Sequence, residues 1–438
     1  MTAADLRVPR ARLIVVVGAL LGCGAILWFS RAYTFYFDEW TFILTAPDWT
    51  FATYFQPHNE HPSILFRAVY AALLNTVGLH SYVPYMAVLL LAHLANVLLL
   101  FELVRRRAGD GIAIAAAALL LTLGAGWENL LWAFQMAWLL SVACGLGAML
   151  LLQSQSRVPL AIALLGVSLA FSAIGVVFAI AAGTQFLLAP GRRRQLLWLV
   201  PLAAALLVWY AAFGRFAVHP NPQPGPANLV LDPLYAAWGL SQSVAGLLGV
   251  GGPFGPPLLV AAVAAVAWRW KRHGADPFLV SVAVSLVGFY LVTGLTRAQL
   301  GYQQSGSSRY GYVAATLWLI LLSDAARSLP WRGTWRPALV ACVFVAWFSS
   351  GVLLFSFATA KTVLMQRQVA DYYALVAMRS DPCLDPAGAV DLLVMPVERS
   401  PARYYRAVDR YGDPRAGMPL LDHASFAAGV RHLRKADC

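Results

Sequence analysis

Charge is what this chain has least of. Of its 438 residues, 12% are Asp, Glu, Lys or Arg and 60% are hydrophobic. A soluble domain carries about twice that share of charge. A formal net charge of +12 therefore does not point to nucleic acid, because the basic residues sit between apolar runs. Alternating apolar–polar segments of about ten residues, the mark of an outer-membrane barrel, are missing. An internal repeat, a low-complexity tract and a soluble nucleotide-binding domain are missing as well. The "GAG" and "GLG" triplets lie inside apolar runs and read as packing glycines, not phosphate loops. His58 and His61 do not form His-Glu-x-x-His on a helix, so no metal site and no cofactor are predicted. Cysteines number five. Cys23, Cys144 and Cys342 fall in apolar runs and read as small core residues. Cys383 and Cys438 lie in a polar tail and can pair if it faces an oxidising compartment.

What the chain does have is a series of apolar runs, several of roughly 18 residues or more, each long enough to cross a bilayer. The first follows "LRVPRAR" and lacks a small-residue cleavage site, so it reads as a retained span. Basic clusters punctuate the rest: Arg7, Arg10 and Arg12; Arg105–Arg107; Arg192–Arg194; Arg269, Lys271 and Arg272; Arg327, Arg332 and Arg336. By the positive-inside rule all five are cytoplasmic, so each gap between them holds an even number of crossings. The expected fold is an all-α polytopic membrane protein of about eleven spans, N-terminus in and C-terminus out. The spans fall near 13–30, 82–103, 111–125, 130–152, 158–172, 174–190, 195–213, 254–270, 277–296, 309–326 and 337–358. Parity leaves two apolar stretches as interfacial helices, 62–77 in the first outer loop and the run after "HPNPQPGPAN" in the fourth. The spans and loops of 1–358 form one domain, with its first outer loop at 31–81, and 359–438 an extracytoplasmic tail.

This threading gathers ionisable groups on the outer side. The first outer loop carries Asp38 and Glu39 in "FYFDEWTFILT", then His58, Glu60, His61 and Arg67 in "QPHNEHPSILFR". A carboxylate at the edge of hydrocarbon is costly, so such a group suggests function, although a pair can also merely mark where the chain meets water. In "GAGWENLLWAFQ", Glu128, Trp132 and Gln135 share one face at helical spacing; Glu128 can equally cap a helix N-terminus. The loop before the tenth span brings Arg297, Arg309 and Tyr310. His93 and Asn96 in the second span read as hydrogen bonds between helices.

A first span followed by "YFDEWTFI", then "HNEHPSILFRAVYAALLNTVG", then a second span ending in Arg-Arg, resembles the C-type membrane glycosyltransferase superfamily. Within it, the chain resembles the protein O-mannosyltransferases and related bacterial enzymes using lipid-linked sugars. Asp38-Glu39 stands where that family has its acidic pair, and His61-Pro62-Ser63 where it has His-Pro-Pro, with Ser63 replacing the last Pro. The resemblance covers roughly 13–107. It implies transfer, with inversion, from a polyprenyl-phosphate sugar to an acceptor hydroxyl on a glycan, lipid or protein, at the outer face of a bacterial plasma membrane. Asp38 would be the general base and Glu39 would orient it or bind sugar hydroxyls. Arg309 would hold the departing phosphate, assisted by His61 or Arg67. Glu128, Gln135, His58, Glu60 and Tyr310 would line the substrates, with Trp40 and Trp127 suited to stacking on sugar faces. Three other readings stay open: a secondary transporter or lipid flippase, a polysaccharide ligase or polymerase using lipid-linked oligosaccharide, and a catalytically idle membrane scaffold.

Overall fold

A computed structural model describes residues 8–217, 222–331, 333–386, 388, 401–415, 418–420 and 422–438. Arg7 and Arg332 of the basic clusters, and His219–Asn221 of the Pro-rich turn, lie outside the described residues. The chain is helical almost throughout. In order come α1 (Ala11–Phe29), α2 (Asp38–Thr45), α3 (Ile64–Thr76), α4 (Val83–Ala108), α5 (Asp110–Leu121), α6 (Trp127–Leu131), α7 (Met136–Leu151), α8 (Val158–Phe171) and α9 (Gly175–Leu188). Then follow α10 (Val200–Ala212), α11 (Asn228–Gly246), α12 (Gly255–His273), α13 (Pro277–Arg297), α14 (Ser308–Ala326), α15 (Trp335–Met378), α16 (Pro401–Tyr411) and α17 (His423–Leu433). Two two-residue strands, β1 (Pro57–His58) and β2 (His61–Pro62), form a small hairpin between α2 and α3.

The protein is an integral, multi-pass membrane protein. By length and composition, six helical segments among the described residues can cross a bilayer, and α5 with the stretch through α6, bent by 42° at a break, makes a seventh. The other four expected spans correspond to α8, α9, α12 and α14, which are shorter or more polar. The short helix expected at 62–77 is α3, and the apolar run in the fourth outer loop is α11. Leucines and valines on α1, α10, α12 and the first half of α15 are exposed, as expected of helix faces turned to lipid. Polar contacts between helices sit inside. His93 Nδ1 meets the Tyr312 hydroxyl at 2.8 Å and Asn96 Nδ2 donates to the Leu139 carbonyl at 3.0 Å, tying α4 to α14 and α7.

Alternating helix direction sorts charge to two ends. At one end Arg12 and Arg105 meet Glu102, Arg107 meets Asp276 at 2.6 Å, and Arg269 and Arg327 share Asp324. Clusters far apart in sequence thus share one end. The first outer loop occupies the other.

The last span runs on past residue 358. α15 is 44 residues long, about 66 Å at 1.5 Å per residue and roughly twice the hydrocarbon thickness. Its second half carries the tail onto the first outer loop. Trp40 packs against Tyr372 and Tyr404, Arg406 pairs with Asp48 at 2.6 Å, and Leu79 N donates to the Tyr411 carbonyl at 2.8 Å. Cys383 and Cys438 are bonded, with Cα atoms 5.7 Å apart. Gly78 makes the close approach possible. Its φ is +68°, and an added Cβ would strike the Tyr411 carbonyl. We expect Gly78→Ala to cost about 1–3 kcal/mol, the usual scale for a side chain forced into positive φ and a clash. Limited proteolysis should then release the tail faster, while a wild-type cleavage rate would show that this contact does not hold it.

Candidate functional site

The site begins with a strained residue. Phe37 has φ +55° and ψ −120°, outside the favoured regions for an L side chain. The chain turns there, and α2 starts at once with Asp38 and Glu39 in its first turn, where the helix dipole favours acids. The two carboxylates then part company. Glu39 is fully buried and accepts from Tyr36 N at 2.8 Å and from the Tyr82 hydroxyl at 3.0 Å, which itself accepts from Ala133 N. Asp38 instead lines a cavity of about 770 Å³. Glu39, expected to orient the base or touch sugar, is turned into the protein core. Its two oxygens tie the start of α2 to the start of α4 and to the loop before α7.

The hairpin supplies the next side chains. Its two-residue turn, Asn59-Glu60, has Asn59 at φ +50°, a conformation Asn tolerates well. Across the turn His58 pairs with His61. His58 Nε2 stands 3.7 Å from Asp38 Oδ2, and both line the large cavity with Arg67, Trp49 and Thr41. Glu60 and His61 line a second cavity of about 190 Å³, whose walls are mainly apolar residues of α9 and α13. At its polar end Glu60 holds Arg297 through two 2.7 Å hydrogen bonds, and Tyr310 closes the wall. Burial pushes the His61 imidazole down to about 4, so it is neutral at pH 7. The hairpin therefore contributes to two chambers, one polar and one apolar with an ionised head.

Glu128 and Gln135 are not on one helix face. α6 ends at Leu131, Trp132 is extended, and Gln135 lies buried in a separate 3-10 turn. The expected continuous helix is broken at Trp132, whose backbone is extended and whose indole N–H donates to the Tyr36 carbonyl at 3.3 Å. Glu128 does cap a helix N-terminus, that of α14. It accepts from the Ser308 hydroxyl at 2.7 Å and from Arg309 N at 3.2 Å, and it pairs with the Arg309 guanidinium at 3.2 Å. Arg309 thus arrives with a carboxylate partner and one third of its side chain exposed. Trp40 is buried against the tail, and Trp127 stacks on Phe357. Trp40 presents no free face for a sugar, and Trp127 has one face taken by Phe357.

Two side chains acquire their place only in the fold. Arg297, named above in the loop before the tenth span, has Glu60 as its partner. Lys361, buried beneath the rings of Tyr36 and Trp132 with Nζ 4.4 Å from the Tyr36 ring, lies past the expected end of the last span. A lone Lys soon after an apolar run reads as an interfacial anchor; only the unbroken α15 brings it under the site. Among the described residues no three His, Cys, Asp or Glu side chains converge to ligate a metal.

The fold of these helices, with the short loop-borne α2 and α3, is shared by a solved structure. The particular likeness is to ArnT from Cupriavidus metallidurans, solved with undecaprenyl phosphate. It covers 96% of this chain and 87% of that one, with a TM-score of 0.53 and 13% identity. No family profile and no curated protein sequence matches the chain.

The buried Glu39 yields a test of the geometry. Burial raises its carboxyl to about 8, whereas an unfolded glutamate titrates near 4.3. Between those values the unfolded chain has lost the proton that the folded one keeps, so this residue's contribution to stability falls as pH rises from about 4.3 to 8. Glu39→Gln removes that slope. The difference in thermal midpoint between variant and wild type in detergent should shift in favour of the variant from pH 5 to pH 8. A difference that stays flat would mean that Glu39 is ionised in the fold.

Proposed function

We propose that the protein transfers a sugar from a polyprenyl-phosphate donor to an acceptor hydroxyl. The observation that carries this reading is the meeting, at one hairpin, of a polar cavity containing Asp38 and an apolar groove that ends at Arg297, His61 and Tyr310. A polyprenyl phosphate is itself an apolar chain with an anionic head. The neighbour sharing this fold was solved with such a lipid.

In the reaction, the acceptor oxygen forms a bond to the anomeric carbon while Asp38 takes the hydroxyl proton. The bond from that carbon to the phosphate oxygen breaks, the electron pair leaves with the phosphate, and the configuration inverts. Phosphate is a good leaving group, so the protein must supply a base and positive charge rather than a strong acid. Arg297 and Arg309 provide that charge beside the groove. Each keeps a carboxylate partner, which holds its guanidinium in place before the donor arrives. Tyr310 completes this wall, and Glu128 holds Arg309 next to it.

The reaction faces outward from a bacterial plasma membrane. The ion-paired basic end stands opposite the site, and the positive-inside rule puts it in the cytoplasm. The bonded Cys383 and Cys438 suit an oxidising compartment. Eleven crossings, with α8, α9, α12 and α14 as the short ones, put the tail on the outer side, as this orientation requires.

The test is transfer from a synthetic polyprenyl-phosphate sugar by the purified protein. Asp38→Asn should keep folding and donor binding and cut transfer about a hundredfold or more, the scale of a lost general base. Arg309→Ala should weaken donor binding and turnover together. Wild-type transfer by Asp38→Asn would remove Asp38 from this role.

A further inference from the structure

The large cavity contains a cation that the transfer chemistry above leaves unused. Arg67 lies in the first turn of α3 and is only 6% exposed. Its Nη2 donates to the Pro57 carbonyl at 3.2 Å, and the guanidinium lies 4.7 Å from the Phe42 ring and 5.5 Å from that of Trp49. Its Nε meets no acceptor among the described residues. Arg297 and Arg309 each have a carboxylate; Arg67 is held by one carbonyl and two aromatic faces. Burial lowers it only to about 10, so it stays charged at neutral pH. A buried charge without a counter-ion costs several kcal/mol, a cost that a ligand anion would relieve.

The rest of the lining fits a sugar. Thr41, Thr53, Gln56 and Asn59 offer hydroxyls and amides, and Trp49, Phe213 and Phe216 add aromatic surface. Two other polar atoms here meet no hydrogen-bond partner among the described residues, Thr41 Oγ1 and His58 Nε2. The volume, about 770 Å³, lies within the range of small-molecule sites, roughly 300–1,000 Å³. Arg215, exposed at this rim, stacks on Phe216 and adds positive charge at the entrance.

We propose that this cavity takes an acceptor saccharide bearing an oxyanion, a carboxylate or a phosphate, which Arg67 holds while a hydroxyl of the same sugar faces Asp38. The word acceptor rests on the glycosyl-transfer reading; the anion site does not. A guanidinium presents paired N–H donors to such a group, and the aromatic rings beneath it fix its plane. Arg67 would then choose the acceptor, Asp38 would activate it, and the groove at Arg297 would serve the donor.

Binding of glucuronate, glucose 1-phosphate and glucose to the full-length protein in detergent, read by ligand-observed NMR, tests this without requiring transfer. The two anionic sugars separate carboxylate from phosphate. At least one of them should bind about tenfold or more tighter than glucose, the scale of a charge-assisted hydrogen bond. Arg67→Gln should reduce that preference to about twofold or less, and Arg67→Lys should restore part of it by keeping the charge. Equal binding of all three sugars to the wild type overturns the proposal, even if no variant folds. So does a preference that survives Arg67→Gln, or displacement of the anionic sugar by geranyl phosphate, which would make this the donor's phosphate site. Failure of the glycosyl-transfer reading looks different: anionic sugars bind, yet the wild type transfers nothing from a polyprenyl donor.

Discussion

One carbonyl oxygen joins the two ends of this protein. Phe35 O accepts hydrogen bonds from Gln368 Nε2 at 2.9 Å and from the Tyr372 hydroxyl at 2.8 Å, 333 and 337 residues along the chain. Near it, Tyr33 donates to the Ala358 carbonyl at 2.8 Å. The segment from Tyr33 to Phe37 is thereby clamped to the long last helix. Everything that makes the site leaves from this clamp: the turn at Phe37, the start of α2, and the divergence of Asp38 from Glu39. Without it, five aromatic-rich residues after a transmembrane helix would be an ordinary interfacial loop.

The same clamp explains the long helix and the tail. A membrane span needs about 20 residues, and the further residues of α15 bring Lys361 under Tyr36 and Gln368 and Tyr372 to Phe35. The tail then closes over α2 through Trp40, Tyr404 and Arg406. A loop-borne site normally trades precision for adaptability. Here α2 is packed on the bundle side and the tail side, leaving the large cavity as its open flank.

Charge is distributed by the same economy. The chain carries 20 acidic residues against 32 basic ones, and the acids go where they neutralise or organise. Glu102, Asp276 and Asp324 knit the basic end. Glu60 and Glu128 each fix an arginine at the other, and Glu39 is buried as a hydrogen-bond acceptor. Asp38 and Arg67 stand apart from this pairing, and both line the same cavity. On the reading proposed above, these two groups are the ones that meet the ligand.

Much of this was legible along the chain. Apolar runs and basic clusters define the helices and which helix ends lie together, because hydrophobic length and Lys/Arg placement act locally. The stretch 62–77 gives α3, the split near residue 172 separates α8 from α9, and the spacing of acids after the first span marks the loop that bears the site. What the chain could not disclose is pairing over long separations. Glu60 and Arg297 are 237 residues apart, Glu128 and Arg309 are 181 apart, and Lys361 reaches Tyr36 only because a helix overruns the membrane. The adjacent Asp38 and Glu39 look equivalent in sequence. Consecutive residues at a helix start project about 100° apart, so packing buries one and leaves the other facing a cavity. Local pattern decided what the elements are and where they turn; tertiary contact alone decided which carboxylate faces the cavity and which arginine there meets no carboxylate among the described residues.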